Sequence, residues 1–337
     1  MHQPIQTGLL SFGTSGKIFH APFLTTHNGF NLKAIVERSE KKAHLHFPDI
    51  ISYNSVVEIM SDPELELIVI NTPNYLRFEH AMLALQSEKH VLMEKPFALT
   101  AREAKLLFEE AAKFDRKILP YQNRRYDSDF LSVQQVLNSG QIGQPVEVHI
   151  RFDRYRNTIG PKLAKESKLP GSGLLWDLAP HLLDMAISLF GEPISWTKSL
   201  GYYRPNTQVD DYATIHLKFP NQLNVFLTMS MLVAHIQPAF ILNGTLGSFV
   251  KHRNNLQEEQ LLSGLSPHSE DFGQERSESA GVLTLVTGQG KTQQTKIHGA
   301  KSTYLSLFDA IYQTIRNQIT FPITEQQILT QISILEY

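Results

Sequence analysis

The stretch SFGTSGKIFHAPF, residues 11–23, places Gly13 and Gly16 three apart, between an apolar run and a helical pattern. Glycines at that spacing let backbone approach a phosphate closely, and the N–H groups at the head of the following helix suit a pyrophosphate. The first glycine of the G-x-G-x-x-G pattern, which shapes its tight turn, is replaced by Ser11. Phe12 and Thr14 fill variable positions, and Gly8 lies too early to substitute. Glu37 ends the next apolar run, 21 residues beyond Gly16, near the distance of a carboxylate that binds ribose hydroxyls, which favours NAD. Arg38 follows directly and suits adenine stacking or a 2′-phosphate, so NADP stays open beside NAD. An ordinary strand-turn-helix with a surface Glu-Arg pair would read the same way locally.

With 337 residues, 42% of them hydrophobic and 19% charged, the chain has room for two ordinary domains. Its net charge of −2 comes without a long Lys/Arg run, so nucleic acid is not an expected partner. There is no cysteine, which excludes disulfides, thiolate metal sites and cysteine nucleophiles. No H-E-x-x-H spacing and no G-x-S-x-G elbow occurs, and no metal is expected. No apolar run approaches the roughly 20 residues of a membrane span. The start, MHQPIQTGLLSFG, lacks a charged leader region, so the expectation is a cytoplasmic protein with no membrane partner.

Two rhythms position these residues. From residue 5 to about 121, the apolar runs IQTGLLSF, FNLKAIV (30–36), LELIVI (65–70), HVLM (90–93) and KILPY (117–121) alternate with helical patterns. Strands buried on both faces read this way, which predicts an α/β Rossmann-type domain over residues 1–121, doubly wound and mostly parallel. In TAREAKLLFEEAAKF (100–114), Thr100 and Glu103 form a capping box ahead of a helical apolar stripe. From residue 122 to 337 the strand-like runs 145–156, 209–219, 223–233, 240–244 and 282–288 alternate only partly. They predict an α+β domain with a large, mainly antiparallel open sheet, backed by helices near 127–138, 175–190 and 303–318. The polar stretch SGLSPHSEDFGQERSESAG (263–281) reads as a long surface loop.

Between residues 70 and 100 lie Asn71-Thr72-Pro73-Asn74 and Glu94-Lys95-Pro96, and a D-x-x-x-H pair, Asp177 and His181, lies further on. Together with YQNRRYDSDF (121–130), FDRYRN (152–157), GLLWDLAPHLLDMAISLFG (173–191), VDDY (209–212) and NGTLGSFVK (243–251), these stretches resemble the Gfo/Idh/MocA family, the glucose-fructose oxidoreductase and inositol dehydrogenase relatives. Their detail is similar to the branch that holds scyllo-inositol dehydrogenases. The resemblance implies an NAD(P)-dependent oxidoreductase that interconverts a secondary hydroxyl and a ketone on a sugar, inositol or related polyol. It implies cofactor contacts at Thr72, Pro73, Asn74, Glu94, Lys95 and Pro96, and assembly as a homodimer or homotetramer through the second sheet. Lys95, Asp177 and His181 are the implied catalytic set. Lys95 would hold the reacting oxygen, His181 would take the hydroxyl proton as an imidazole near neutral pKa, and Asp177 would orient it or hold a substrate hydroxyl. Asn123, Arg154 and Trp176 are further substrate-side candidates. The segment GPKLAKESKLP (160–170) departs from the family pattern, in which an Arg-Trp-Arg stretch is expected.

Each of these residues has a structural alternative. Lys95 suits a solvated strand end, and His181 suits a core or interface histidine. Asp177 suits a helix N-cap, because Pro180 belongs in the first turn of a helix it does not break. Arg124, Arg125, Arg151, Arg154 and Arg156 suit ion pairs as well as substrate. A non-catalytic NAD(P)-binding regulator is the alternative function, and an enzyme that moves the hydride transiently is a third.

Overall fold

The computed structural model describes residues 3–161 and 163–336. Its first sheet holds β1 (Ile5–Leu9), β2 (Phe30–Val36), β3 (Ile51–Tyr53), β4 (Leu67–Ile70), β5 (His90–Met93) and β6 (Ile118–Pro120). They lie in the order β3-β2-β1-β4-β5-β6, every pair parallel. All four residues of β4 are buried, as expected for a strand covered on both faces. The covering helices are α1 (Ala21–Thr26), α2 (Val56–Met60), α3 (Asn74–Gln86) and α4 (Ala101–Lys113). Thr100 caps α4 by accepting from the Glu103 N–H at 3.0 Å, while the Glu103 carboxylate reaches back one residue further than a capping box, to the Leu99 N–H at 2.9 Å. The strand order reverses direction between β1 and β4, and open sheets of this kind take ligands at the carboxyl ends of the strands beside that point.

The chain continues with α5 (Ser128–Ser139), β7 (Pro145–Asp153), α6 (Leu163–Glu166) and α7 (Leu174–Phe190), then β8 (Ser195–Gly201), β9 (Tyr212–Lys218), β10 (Asn224–Ser230), β11 (Phe240–Gly244) and β12 (Gly247–Lys251). It closes with α8 (Leu256–Leu262), β13 (Gly281–Val286), β14 (Thr292–Ile297), α9 (Leu305–Asn317) and α10 (Glu325–Glu336). The eight strands form one sheet, β14-β13-β12-β11-β7-β10-β9-β8, antiparallel except for the central parallel pair β7 and β10. Val148, Ile150 and Phe152 on β7, with Val225, Leu227 and Met229 on β10, turn to the helical side and are buried. Each such apolar side chain contributes about 1.5–3 kcal/mol when removed from water. Strands β3, β8, β12 and β14 are additions to the sequence reading; β14 is polar up to its last residue, Ile297, so no apolar alternation marks it.

Stretch 263–281 has turns over much of its length but is anchored. Phe272 is fully buried, and the Glu275 carboxylate, itself pushed upward by burial, is held below the usual range by Lys251, whose Nζ lies 2.8 Å from both oxygens.

The last two helices return to the first sheet's side of the molecule. Phe308 on α9 stacks on Phe23 of α1 with ring centroids 5.5 Å apart. On α10, Glu336 accepts from the Ala101 N–H at the head of α4, and Gln331 bonds Gln122 on one side and Asp184 of α7 on the other. Arg125 forks onto the same Asp184 at 2.7 and 2.8 Å. These contacts set the axis of α7.

The start of α7 corrects the N-cap reading of Asp177. The helix begins at Leu174, so Asp177 lies in its first turn and Pro180 inside it. Gly173 precedes the helix at φ 93°, where an added Cβ would collide with Asp210. The cap is supplied from across the sheet, by the Asp210 carboxylate accepting from the Leu175 N–H at 2.6 Å. A tertiary cap frees the local sequence from carrying one. Asp210→Ala is expected to destabilise the protein by about 1–2 kcal/mol, read from the urea midpoint at unchanged m-value; an unchanged midpoint would refute the cap.

Candidate active site

Ser11 to Ser15 bridge the end of β1 and a helical turn, Gly16–His20, that runs into α1. Gly16 is the constrained position: a Cβ there would stand 2.2 Å from the Ser11 carbonyl oxygen. Ser11 itself fits, with its Oγ accepting from the Gly13 N–H at 3.4 Å and its carbonyl accepting from the Asn71 amide at 2.8 Å. Gly13 and Thr14 are exposed, and a Cβ on Gly13 would meet only Ser11 Oγ at 3.5 Å, so the space above the loop is open. Asn71 Oδ1 is buried with no hydrogen-bond partner among the described residues. An open glycine loop at a helical N-terminus beside an unsatisfied amide oxygen fits a dinucleotide's phosphates and its amide-bearing ring. Phe12 packs edge-on against His46 and Phe47 and forms one wall.

Glu37 is engaged within the protein rather than standing free. Its Oε1 accepts from the N–H groups of Lys42 and Ala43 at 2.8 and 3.1 Å, and its Oε2 accepts from Ser52 Oγ at 2.8 Å. The carboxylate is buried and anchors the loop that leaves β2. Arg38 beside it is exposed.

The turn after β5 is assembled by buried charges. The Glu94 carboxylate takes Ser15 Oγ at 2.7 Å and His20 Nε2 at 2.9 Å on one oxygen, and the Lys95 N–H on the other. Burial pushes the Glu94 carboxyl up, but His20, then Arg77 and Ser15, outweigh it and hold it down at about 2. Glu94 thus ties the glycine loop to Lys95 rather than facing the cofactor space. Arg77 of α3 is buried without a carboxylate partner among the described residues. Its guanidinium donates to the carbonyls of Thr72 at 2.7 Å, Glu94 at 3.3 Å, Pro96 at 3.1 Å, and Lys95. One cation thereby clamps the turns after β4 and β5 together; the Lys95–Pro96 peptide in the second is cis. Pro73 occupies the position before α3 without a capping hydrogen bond, Thr72 Oγ1 pairs with His80, and the Asn74 amide is spent on the Gly171 carbonyl at 2.6 Å.

From this turn Lys95 reaches across to α7. Its Nζ donates to the Asp177 carbonyl at 2.5 Å and lies 3.2 Å from Asp177 Oδ1. Burial brings the Lys95 ammonium down to about 8, with Lys165 adding to the fall and Asp177 opposing it. Burial raises the Asp177 carboxyl, but Lys95, Lys165 and Arg154 outweigh it and hold it well below the usual carboxylate range. His181 stands one helical turn on, on the same face. The expected near-neutral imidazole is not found there: burial, and then the charges of Lys95 and Arg124, push His181 well below its ordinary pKa. It is a neutral ring with a buried Nδ1 that has no partner among the described residues. A neutral imidazole beside an ammonium, with an unsatisfied nitrogen, is equipped to exchange a hydrogen bond with a hydroxyl placed between them.

Lys95, Asp177 and His181 therefore come together, and the remaining candidates divide. Arg154 stacks over Phe152 at 5.0 Å and lies 4.0 Å from Asp177, at the cleft. Trp176 is half-buried in the first turn of α7, and Asn123 is buried where the turn Asn123–Tyr126 begins. Arg124 and Arg125 are committed to Asp127, Glu258 and Asp184. Sequence reasoning did not single out Ser15, His20, Arg77 or Lys165. Arg77 lies in plain helical sequence, and its only signal is its place in the first turn of a helix that follows a cofactor-side turn. Lys165 Nζ is 2.6 Å from Asp177 Oδ1.

Residues 5–121 match the family model described as an oxidoreductase family with an NAD-binding Rossmann fold, and residues 130–250 match the GFO/IDH/MocA C-terminal domain. An uncharacterized oxidoreductase of Schizosaccharomyces pombe is 36% identical over 99% of this chain and 96% of its own length. The scyllo-inositol 2-dehydrogenase (NADP(+)) IolW of Bacillus subtilis is 30% identical over 98% of this chain and 92% of its own. The crystal structure of an oxidoreductase from Bacillus cereus superposes with a TM-score of 0.91 at 30% identity, covering 98% of this chain and 95% of that one. With its parallel nucleotide-binding sheet, its second mostly antiparallel sheet and both family models matched in order, this chain belongs to the GFO/IDH/MocA family of oxidoreductases.

Proposed function

We propose that this protein is an NADP-dependent dehydrogenase that interconverts a secondary alcohol and a ketone on a sugar or inositol-like polyol. The observation that carries the reading is the meeting of Lys95, Asp177 and His181 at the carboxyl edge of β5, beside the glycine loop. A bound nicotinamide supplies the hydride acceptor. The Lys95 ammonium donates to the reacting oxygen and acidifies its hydroxyl, and the neutral His181 ring accepts the proton. Asp177 keeps Lys95 charged and in place, since its carboxylate raises the lysine's pKa against burial. In the reverse direction the imidazolium returns the proton while Lys95 stabilises charge developing on the carbonyl oxygen. The preference for NADP rests on Arg38, whose exposed guanidinium suits a 2′-phosphate while Glu37 is occupied below it, and agrees with the NADP(+) in the name of the Bacillus subtilis relative.

Assembly belongs to the same reading. The sheet face opposite the helices carries a ladder of stacked rings, His149 on Phe226 at 5.0 Å and Phe226 on His216 at 4.4 Å, only partly buried. We propose that this face pairs two copies; light scattering is expected to give a dimer or tetramer, and a monomer at assay concentration would refute it.

Lys95→Met and His181→Ala are each expected to lower kcat by about 10²–10⁴-fold in a steady-state assay with a turned-over polyol. Because the lysine titrates at about 8 and acts as the ammonium, kcat/KM is expected to fall as pH rises through that value. Asp177→Asn moves this alkaline limb to lower pH, because the carboxylate that raises the lysine's pKa is gone. A rate that climbs through pH 8 would assign the base role to the Lys95 amine instead. For the cofactor, Arg38→Ala is expected to raise KM for NADP about tenfold or more while leaving KM for NAD within about twofold, the size of one charge-assisted contact. Equal effects on both would overturn the NADP preference.

A further inference from the structure

Three cations converge on one carboxylate at the substrate side of the cleft. Asp177 has Lys165 Nζ at 2.6 Å, Lys95 Nζ at 3.2 Å and Arg154 Nη1 at 4.0 Å. The other acids of the adjoining 200 Å³ cavity do not balance them. Glu166 is taken by Arg204, with Nη2 at 2.7 Å and Nη1 at 3.3 Å, and by the Gly160 N–H. Arg204 also meets Asp211, and Arg156 stands beside Glu166 and Gly160, so that group of four charges is neutral within itself. Asp210 faces the N–H groups at the head of α7. Lys95, Lys165 and Arg154 against Asp177 and Asp210 therefore leave a surplus of one positive charge, facing the space where the reacting alcohol must sit.

This surplus is not the cofactor's phosphate site, which lies on the glycine loop at the end of β1. It also cannot serve a positively charged nicotinamide, which it would repel. A neutral polyol would leave it uncompensated, whereas an anion would complete it. Lys165 can respond with little cost, because its side chain is about half exposed at 54% and can exchange Asp177 for an incoming anion while staying hydrated. Arg154, with its guanidinium carbon 5.0 Å from the centre of the Phe152 ring, presents a planar fork suited to a carboxylate or phosphate.

We propose that the alcohol bound here carries a fixed negative charge, a carboxylate or a phosphate group, and that Lys165 and Arg154 bind it. The inference rests on the polyol dehydrogenase reading and narrows its substrate class to sugar acids or phosphorylated polyols. An anion seated there also raises the pKa of Lys95 and keeps it in the ammonium form, which couples recognition of the charged group to the group that holds the reacting oxygen.

The test uses the NADPH-loaded protein and three ligands of one carbon skeleton: glucitol, gluconate and glucitol 6-phosphate. Binding is read from the cofactor's fluorescence, so it does not depend on turnover. At least one anionic ligand is expected to bind roughly 10- to 100-fold more tightly than glucitol, with the gap narrowing as salt is added. The anion that binds better distinguishes carboxylate from phosphate. Lys165→Gln is expected to bring the ratio of anionic to neutral affinity close to one, whereas Lys168→Gln, an exposed lysine of the same segment, leaves the ratio as it is. Equal affinities for all three ligands, or a preference that survives in Lys165→Gln, would overturn the proposal. Binding of an anion without turnover of any of the three when NADP+ replaces NADPH as the hydride acceptor would strike at the dehydrogenase reading alone.

Discussion

The contact between Lys95 and Asp177 joins the edge of the parallel sheet to the first turn of α7, and most of the site's chemistry follows from it. A buried ammonium loses its proton readily unless a negative group stays close, and the carboxylate it meets would itself be expensive to bury alone. Each group therefore sets the other's charge state. His181 stays neutral first because it is buried, and the charge of Lys95 adds to that while Asp177 opposes it. Lys95, Asp177 and His181 thus act as one electrostatic unit rather than as three separate residues.

Such a unit works only if its backbone is held, and the supports are specific. Arg77 ties the two turns after β4 and β5 through four carbonyl groups, and Glu94 ties the second turn to the glycine loop through Ser15 and His20. On the opposite wall, Asp210 caps α7 and the Arg125–Asp184 fork fixes its axis. Asn74 links the walls again by bonding the Gly171 carbonyl at the end of the segment that carries Lys165. A displacement of about 1 Å in either wall would separate Lys95 from Asp177, and catalytic groups tolerate little error of that kind.

The open question in the cofactor loop, a serine in place of its first glycine, has a steric answer. The position that admits no side chain is Gly16, whose missing Cβ leaves room for the Ser11 carbonyl; the Ser11 side chain is accommodated, with its Oγ accepting from the Gly13 N–H. Glu37 shows the opposite case. It has the spacing of a ribose ligand, yet its carboxylate is engaged by the N–H groups of Lys42 and Ala43 in the following loop and by Ser52 of β3. Spacing identifies which residues can reach a ligand, but hydrogen bonds already made determine which of them remain available.

The sequence by itself determined the two architectures, because period-two and near-continuous apolar runs report directly which strands are covered on one face or both. It also determined the glycine loop and the identities of Lys95, Asp177 and His181, which lie in compact local motifs. Strands β8 and β14 escaped it because they lie at the sheet's edges and bury little, and Pro180 misled it because the cap of α7 comes from Asp210, 36 residues beyond Leu174. Only the tertiary structure decided the charge states. The depressed imidazole of His181, the lowered ammonium of Lys95, the occupied Glu37 and the approach of Lys165 to Asp177 depend on burial and on distances between segments far apart in the chain. Burial and through-space charge have no period along a sequence, so the chemistry of the site was legible as residue types and became specific only when the fold brought them within a few ångströms.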